Sequence, residues 1–274
     1  MSGTLLSFTL MAIGARELTD EIDIFQTLLF RSAIGLVIMA SWLAYTGKLN
    51  GLRDGNMRLH LTRNVFHFGG QYGWFLGIGL LPLAEVFALE FTVPVWTMLI
   101  AVLFLDERLT WAKGICVALG LAGVAVIVGP GAELIEPAAL IVLGAALCYG
   151  IANGTTKALS DSESAAVVLF YMCAIQLPIA LGFSLGSLTM PVGIEWLWLF
   201  VVALTALSAH YCMTRAMACA EATTVAALDF LRLPLIVIVG IALYNEPFKW
   251  TVFLGAALML AGNVINLRDT QEDK

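Results

Sequence analysis

The sequence predicts an all-α polytopic membrane protein of ten transmembrane helices, arranged as two inverted five-helix repeats. Three observations predict it. Apolar residues make up 60% of the 274 and charged residues only 12%, with a mean hydropathy of +0.92. Apolar windows of membrane-spanning length recur along the whole chain. The second half also repeats the first at a constant offset.

The composition excludes several classes. A soluble domain carries about 25% charged residues and cannot hide so much apolar surface. Lys and Arg total 14 against 20 acids, so there is no basic footprint for nucleic acid. A span takes ~20 apolar residues, so ten use ~200 and leave roughly 74 for connections, too few for a further domain. Five cysteines, Cys116, Cys148, Cys173, Cys212 and Cys219, lie in apolar runs without CxxC or zinc spacing. They read as buried free thiols packing as small apolar groups.

Windows read as helices cover 2–18, 25–46, 63–81, 84–105, 111–129, 137–157, 164–186, 195–219, 223–243 and 250–267. The first is short and has no basic stretch before it, unlike a signal peptide. With the N-terminus inside, ten of the Lys and Arg residues fall in inner segments, including Arg53, Arg58, Arg63 and Arg108. Only Arg16 and Lys249 fall outside, where acids such as Glu17, Glu133 and Glu136 collect. That bias places both termini in the cytoplasm. Trp42, Trp111, Trp196, Trp198 and Trp250 stand near helix ends, as interfacial residues do.

The repeat appears at a shift of 139. GQYGWFLGIGLLPLAEVFALEF (70–91) lies over AHYCMTRAMACAEATTVAALDF (209–230), so Gln71 meets His210, Tyr72 meets Tyr211 and Glu90 meets Asp229. Pro94 matches Pro234 at a shift of 140, and Glu107/Glu246, Trp111/Trp250 and Gly123/Gly262 return to 139. Alignment of acids, tyrosines, prolines and tryptophans in one order is hard to obtain from apolar bias alone. Halves 1–130 and 131–274 each hold five spans. An odd number makes the second insert upside down, an architecture from which transporters build two mirror-related states.

Pro94, then Asp106-Glu107-Arg108-Leu109, Trp111 and the glycine-rich helix GICVALGLAGVAVIV resemble an EamA-type domain of the drug/metabolite transporter superfamily. LDFLRLPLIVIVGIALYNEPFKW (228–250) resembles its partner, so the likeness covers the whole chain as two EamA-type halves. Departures are the short first helix and Pro247 where the first half has Arg108. The resemblance implies a ten-helix bundle in the inner membrane, with both ends cytoplasmic. It also implies a central cavity lined by helices 1, 3, 4, 6, 8 and 9, with helices 5 and 10 peripheral. The implied activity is secondary transport of a small organic metabolite by alternating access. An amino acid or related nitrogenous, zwitterionic compound is favoured. A cofactor-like compound such as S-adenosylmethionine or a vitamin, or a drug, is the alternative, and protons are open as the coupling ion. No cofactor, metal or nucleic acid is expected, and HExxH, Walker A and GxSxG signatures are missing. An integral-membrane enzyme or a pore is the alternative from another class.

Ionisable groups in hydrocarbon cost ~2.5–3.5 kcal/mol each on insertion scales and normally face a cavity or a partner. Glu90 stands ~9 Å inside the outer end of helix 4, and Asp229 at the mirrored depth of helix 9. Arg232 follows Asp229 by three residues on one helix face. Arg31 lies ~9 Å into helix 2. Two readings stay open for these four: internal ion pairs that orient helices, or contact with substrate and protons. Gln71, Tyr72, His210 and Tyr211 fall mid-span and are expected to line the cavity, with the two tyrosines facing each other. Asn153, and more weakly Asn64 and His67, are further candidates. Pro94 and Pro234 each remove a backbone N–H from a span, making a packing kink or a hinge. The small residues before Gly123 and Gly262 are read as packing sites.

Overall fold

The computed structural model describes residues 1–52, 55–104, 110–128, 137–220, 225, 228, 229 and 231–272, and among them there are helices and no strand. The helices are α1 (Ser2–Leu18), α2 (Ile24–Tyr45), α3 (Met57–Leu80), α4 (Leu83–Glu90), α5 (Val93–Phe104) and α6 (Trp111–Val128). They continue as α7 (Pro137–Ser160), α8 (Ala165–Ser184), α9 (Glu195–Cys219), α10 (Arg232–Tyr244) and α11 (Trp250–Glu272). A single 3₁₀ turn covers Leu49–Leu52. The Asp106–Leu109 motif, Arg53, Glu133 and Glu136 lie outside the described residues.

Polar residues set several helix starts. Asp23 accepts from the Phe25 N–H at 2.9 Å, and Ser164 accepts from Val167 at 3.4 Å. Asn56 accepts from Leu59 at 3.3 Å and starts α3 at Met57. The hydropathy reading starts that helix at 63, because Arg58, His60 and Arg63 lower the local apolar signal. The earlier start carries Arg63 nearly two turns into the helix, so it is a buried helix residue and not a loop charge. At its far end, α10 is closed by Asn245 in the left-handed region at φ 51°, a conformation Asn tolerates better than most side chains.

The window 84–105 is two helices. The chain leaves helical geometry at Phe91 and Thr92 and resumes at Val93. Pro94 stands in the first turn of α5, where a missing N–H breaks no intrahelical bond. It therefore does not kink a continuous helix. The Thr92 hydroxyl donates to Leu89 O at 2.8 Å and accepts from the Trp96 indole at 3.0 Å, taking up polar groups that the break frees. Pro234 holds the same place: α10 starts at Arg232, after Leu231 in a turn and Asp229 in helix.

Burial runs opposite to that of a soluble protein. Large apolar side chains are uncovered on α1 to α3 and on α6 to α11, including Val37, Phe183, Ile238 and Leu254. Arg63, His67, Gln71, Gln176 and Arg232 are buried. Four helices, α2, α7, α8 and α9, are each long and apolar enough to cross a membrane. Between them α3 packs on α7, α1 on α9, α2 on α8, α4 on α10 and α6 on α11. Along the last seam, a Cβ on Gly123 would meet the Gly255 carbonyl at 2.6 Å. One on Gly262 would meet the Cys116 Cα at 3.1 Å, so these backbones touch because both positions are glycine. All five cysteines are free, and Cys219 is exposed rather than buried.

Candidate functional site

A cavity of about 940 Å³, counted out to its open mouth, lies between α1, α3, α4, α5, α7, α9 and α10. Aromatic groups wall it: Phe8, Trp74, Phe75, Phe91 and Tyr149. Its polar lining comes from α3 (Arg63, His67, Gln71), the α4 end (Glu90), α7 (Asn153, Thr156), α9 (His210, Thr214) and the α10 start (Asp229, Arg232).

Arg232 is the hub. Its Nη2 donates to Glu90 Oε1 at 3.0 Å and to Asp229 Oδ2 at 2.6 Å. The other Glu90 oxygen accepts from the Trp74 indole at 2.9 Å. Phe8 and Phe87 each place a ring centroid 4.7 Å from the guanidinium carbon, offering a π face to the cation. One cation thus joins two acids from opposite halves of the chain, each beside the break in its own helix. Asp229 Oδ1 and Gln71 Oε1 are buried without a hydrogen-bond partner among the described residues.

A second polar network occupies the lower part of α3. Arg63 donates to Thr156 Oγ1 at 2.9 Å and to Asn64 Oδ1 at 2.7 Å, with Met172 Sδ at 3.8 Å from Nη2. Gln176 bridges Asn64 and the His67 Nδ1, the latter at 2.9 Å. His67 meets His210 edge to face at 4.7 Å.

The end of the bundle where α3 meets α4 is tied shut. Glu246 accepts from the Leu83 N–H at the start of α4 at 2.9 Å and from Arg16 at 3.0 Å. Its charge there also suits the positive helix N-terminus. Arg16 further donates to Leu81 O at 2.8 Å, Tyr244 bonds Glu17 at 3.0 Å, and Lys249 pairs with Glu85.

Of the residues singled out in the sequence, the structure brings His67, Gln71, Glu90, Pro94, Asn153, His210, Asp229 and Arg232 to this one cavity, with Asn64 bonded to Arg63 beside it. Tyr72 and Tyr211 are corrections. Tyr72 stacks on Phe25 at 4.6 Å within the core, and Tyr211 is exposed on the outside of α9. Consecutive helical residues point ~100° apart, and here that step turns Tyr72 toward Phe25 and Tyr211 to the outer surface while Gln71 and His210 face inward. Pro234 does not line the cavity. Arg31 joins no ion pair among the described residues; it is buried behind the wall beside Cys173 and Gln176. Arg63, Trp74 and Tyr149 were not among the expected site residues. For Arg63 the available signal was Asn56, a capping residue that starts α3 early enough to bury it. No group of three His, Cys, Asp or Glu set for a metal occurs among the described residues.

The EamA-like transporter family model matches the chain twice, over residues 1–129 and 136–268, and the chain belongs to that family. An S-adenosylmethionine uptake transporter of Rickettsia conorii is 25% identical over 258 residues, spanning 94% of this chain and 87% of its own. A riboflavin transporter of Rhizobium johnstonii is 31% identical over 211 residues, 77% of this chain and 70% of its own. A solved structure described only as "Crystal structure of protein" superposes with a TM-score of 0.71 over 97% of both chains at 19% identity, a likeness of fold. The protein is a multi-pass membrane transporter of a small molecule and not an enzyme.

Proposed function

We propose that the chain is a secondary transporter of the inner membrane, with both termini cytoplasmic, that works by alternating access between inverted halves 1–130 and 131–274. The packing supports the inversion. The pair α3–α7 becomes α9–α1 when the halves exchange, while α2–α8 and α6–α11 map onto themselves. At residue level, a shift of 139 turns the contact Gly123–Gly255 into Gly262–Cys116.

The observation that carries the function is the Glu90–Arg232–Asp229 cluster on the cavity wall at two helix breaks. Charged groups of both signs beside aromatic walls suit an organic zwitterion that carries a ring. S-adenosylmethionine combines an amino acid, a sulfonium cation and an adenine, and relatives named for its uptake span nearly the whole chain. Riboflavin, the solute in the names of other relatives, has a flat ring but no charge for this cluster to meet. Uptake of radiolabelled S-adenosylmethionine, riboflavin and an amino-acid panel into proteoliposomes, with and without a proton gradient, tests the reading. Saturable S-adenosylmethionine uptake is expected. Riboflavin uptake in its place would overturn the zwitterion reading, and no uptake of any solute would overturn the function.

A further inference from the structure

Both acids of the cavity are paired with Arg232, and this leaves the other buried guanidinium groups, Arg31 and Arg63, without a counter-charge among the described residues. Arg63, 2% exposed, lines the cavity and is held by neutral groups only, Thr156, Asn64 and Met172. Arg31 lies close enough for the two charges to repel, and its Nε and Nη1 have no hydrogen-bond partner among the described residues. Burying a cation without an anion is costly, and a cost held in place at a cavity wall favours an anionic ligand.

The hydrogen bonds around His67 point the same way. Asn64 Nδ2 donates to His60 O at 2.9 Å, so its Oδ1 faces Arg63 and Gln176. Gln176 must then present its NH₂ group, which also reaches His67 Nδ1 at 2.9 Å. With Nδ1 accepting, the neutral imidazole carries its proton on Nε2. That nitrogen is a donor, buried, on a cavity-lining residue, and without an acceptor among the described residues. Arg63 and His67 are four residues apart on one helix, so they share a face.

We propose that Arg63 and His67 form an anion subsite that takes the carboxylate of the transported solute, at the opposite end of the cavity from the Glu90–Arg232–Asp229 cluster. The inference rests on the reading of this cavity as the transport site. From His67 to Trp74, which holds Glu90, α3 rises ~10 Å. The solute therefore has its carboxylate well separated from a nitrogen-donating part. That far part meets the unpartnered acceptors Gln71 Oε1 and Asp229 Oδ1. S-adenosylmethionine fits this order, with its carboxylate and adenine at opposite ends.

The test is equilibrium binding to the purified full chain in nanodiscs with matched probes: S-adenosylmethionine against its decarboxylated form, and riboflavin 5′-phosphate against riboflavin. The first pair differs by the carboxylate and the second by a phosphate. Wild type is expected to prefer S-adenosylmethionine at least tenfold. In Arg63→Met that preference should fall below threefold. Arg63→Lys, which keeps the charge, should retain part of it, and His67→Phe should reduce it, so the test survives if Arg63→Met fails to fold. Equal binding of the first pair by wild type, or an Arg63→Met preference that stays tenfold, overturns the subsite and leaves the solute reading intact. If neither S-adenosyl compound binds, that solute is overturned and the flavin pair decides: a phosphate preference lost in Arg63→Met sustains the subsite, and equal binding overturns it. Binding of none of the four overturns both.

Discussion

Arg232 makes unequal demands on its neighbours. Replacing it by Met leaves Glu90 and Asp229 facing each other in a mostly dry site, a loss of about 3–5 kcal/mol for a broken buried pair. Glu90→Gln and Asp229→Asn each leave Arg232 one acid, so they should fold. They should still lower transport at least tenfold, through the lost charge at the cavity wall. Thermal unfolding in detergent beside proteoliposome uptake separates the two effects. A stable Arg232→Met protein, or acid variants with unimpaired uptake, would refute this account of the cluster. The tyrosines behave differently: Tyr72→Phe and Tyr211→Phe should change apparent affinity less than twofold, because neither hydroxyl reaches the cavity. At this scale the sequence was readable as to which residue types matter and less so as to where they point. The 139-residue repeat marked Gln71–Tyr72 and His210–Tyr211 as pairs, but a repeat reports equivalence and not helical phase. Arg63 stayed hidden because a charge near a span's edge reads as a topological signal until the helix start is known.

For the elements, apolar windows located α1, α2, α6 and α9 to within about a residue of their ends. They missed the discontinuity at Phe91 and Thr92, since hydropathy runs evenly through 84–105 and a proline signals a defect without fixing its side. The break depends on Thr92, whose hydroxyl serves Leu89 and Trp96 together. Thr92→Val keeps the shape and β-branching and removes both bonds. It should cost about 1 kcal/mol of stability per lost bond. It should also shift Glu90, which ends α4 two residues earlier, so that turnover falls more than binding. Thr92→Ser, which keeps the hydroxyl, should rescue most of that turnover in the same uptake assay.

Taken whole, the molecule has an orientation that a single exposed residue can report. In a cysteine-free background, Arg58→Cys at the start of α3 should resist a membrane-impermeant thiol reagent applied to intact cells and react after permeabilisation. Labelling from outside would invert the proposed topology. Under the proposed alternating access, the packed pairs α1–α9 and α3–α7 move relative to each other without parting, and the α6–α11 seam bears on how. Where Gly123 meets Gly255 and Gly262 meets Cys116 the backbones approach directly, with Leu119, Ile127 and Met259 packed beside them, which leaves little room for either helix to shift. In that scheme we propose it as the axle: material close to it stays put while distant ends sweep. A cysteine placed on Gly262 would have its Cβ 3.2 Å from that of residue 119, and one on Gly79 would be 3.7 Å from the Cβ of Thr19, both near disulfide reach. Gly262→Cys, whose Cβ meets the Cys116 backbone at 3.1 Å, should by itself lower stability; relative to that single variant, adding Leu119→Cys welds the axle and should leave uptake nearly unchanged. Thr19→Cys with Gly79→Cys welds α1 to α3, and so the α1–α9 pair to the α3–α7 pair, beside the Arg16–Glu246 ties, and should stop uptake until a reductant frees it. If the first weld halts transport and the second does not, the pivot of this protein lies on the other side of the bundle.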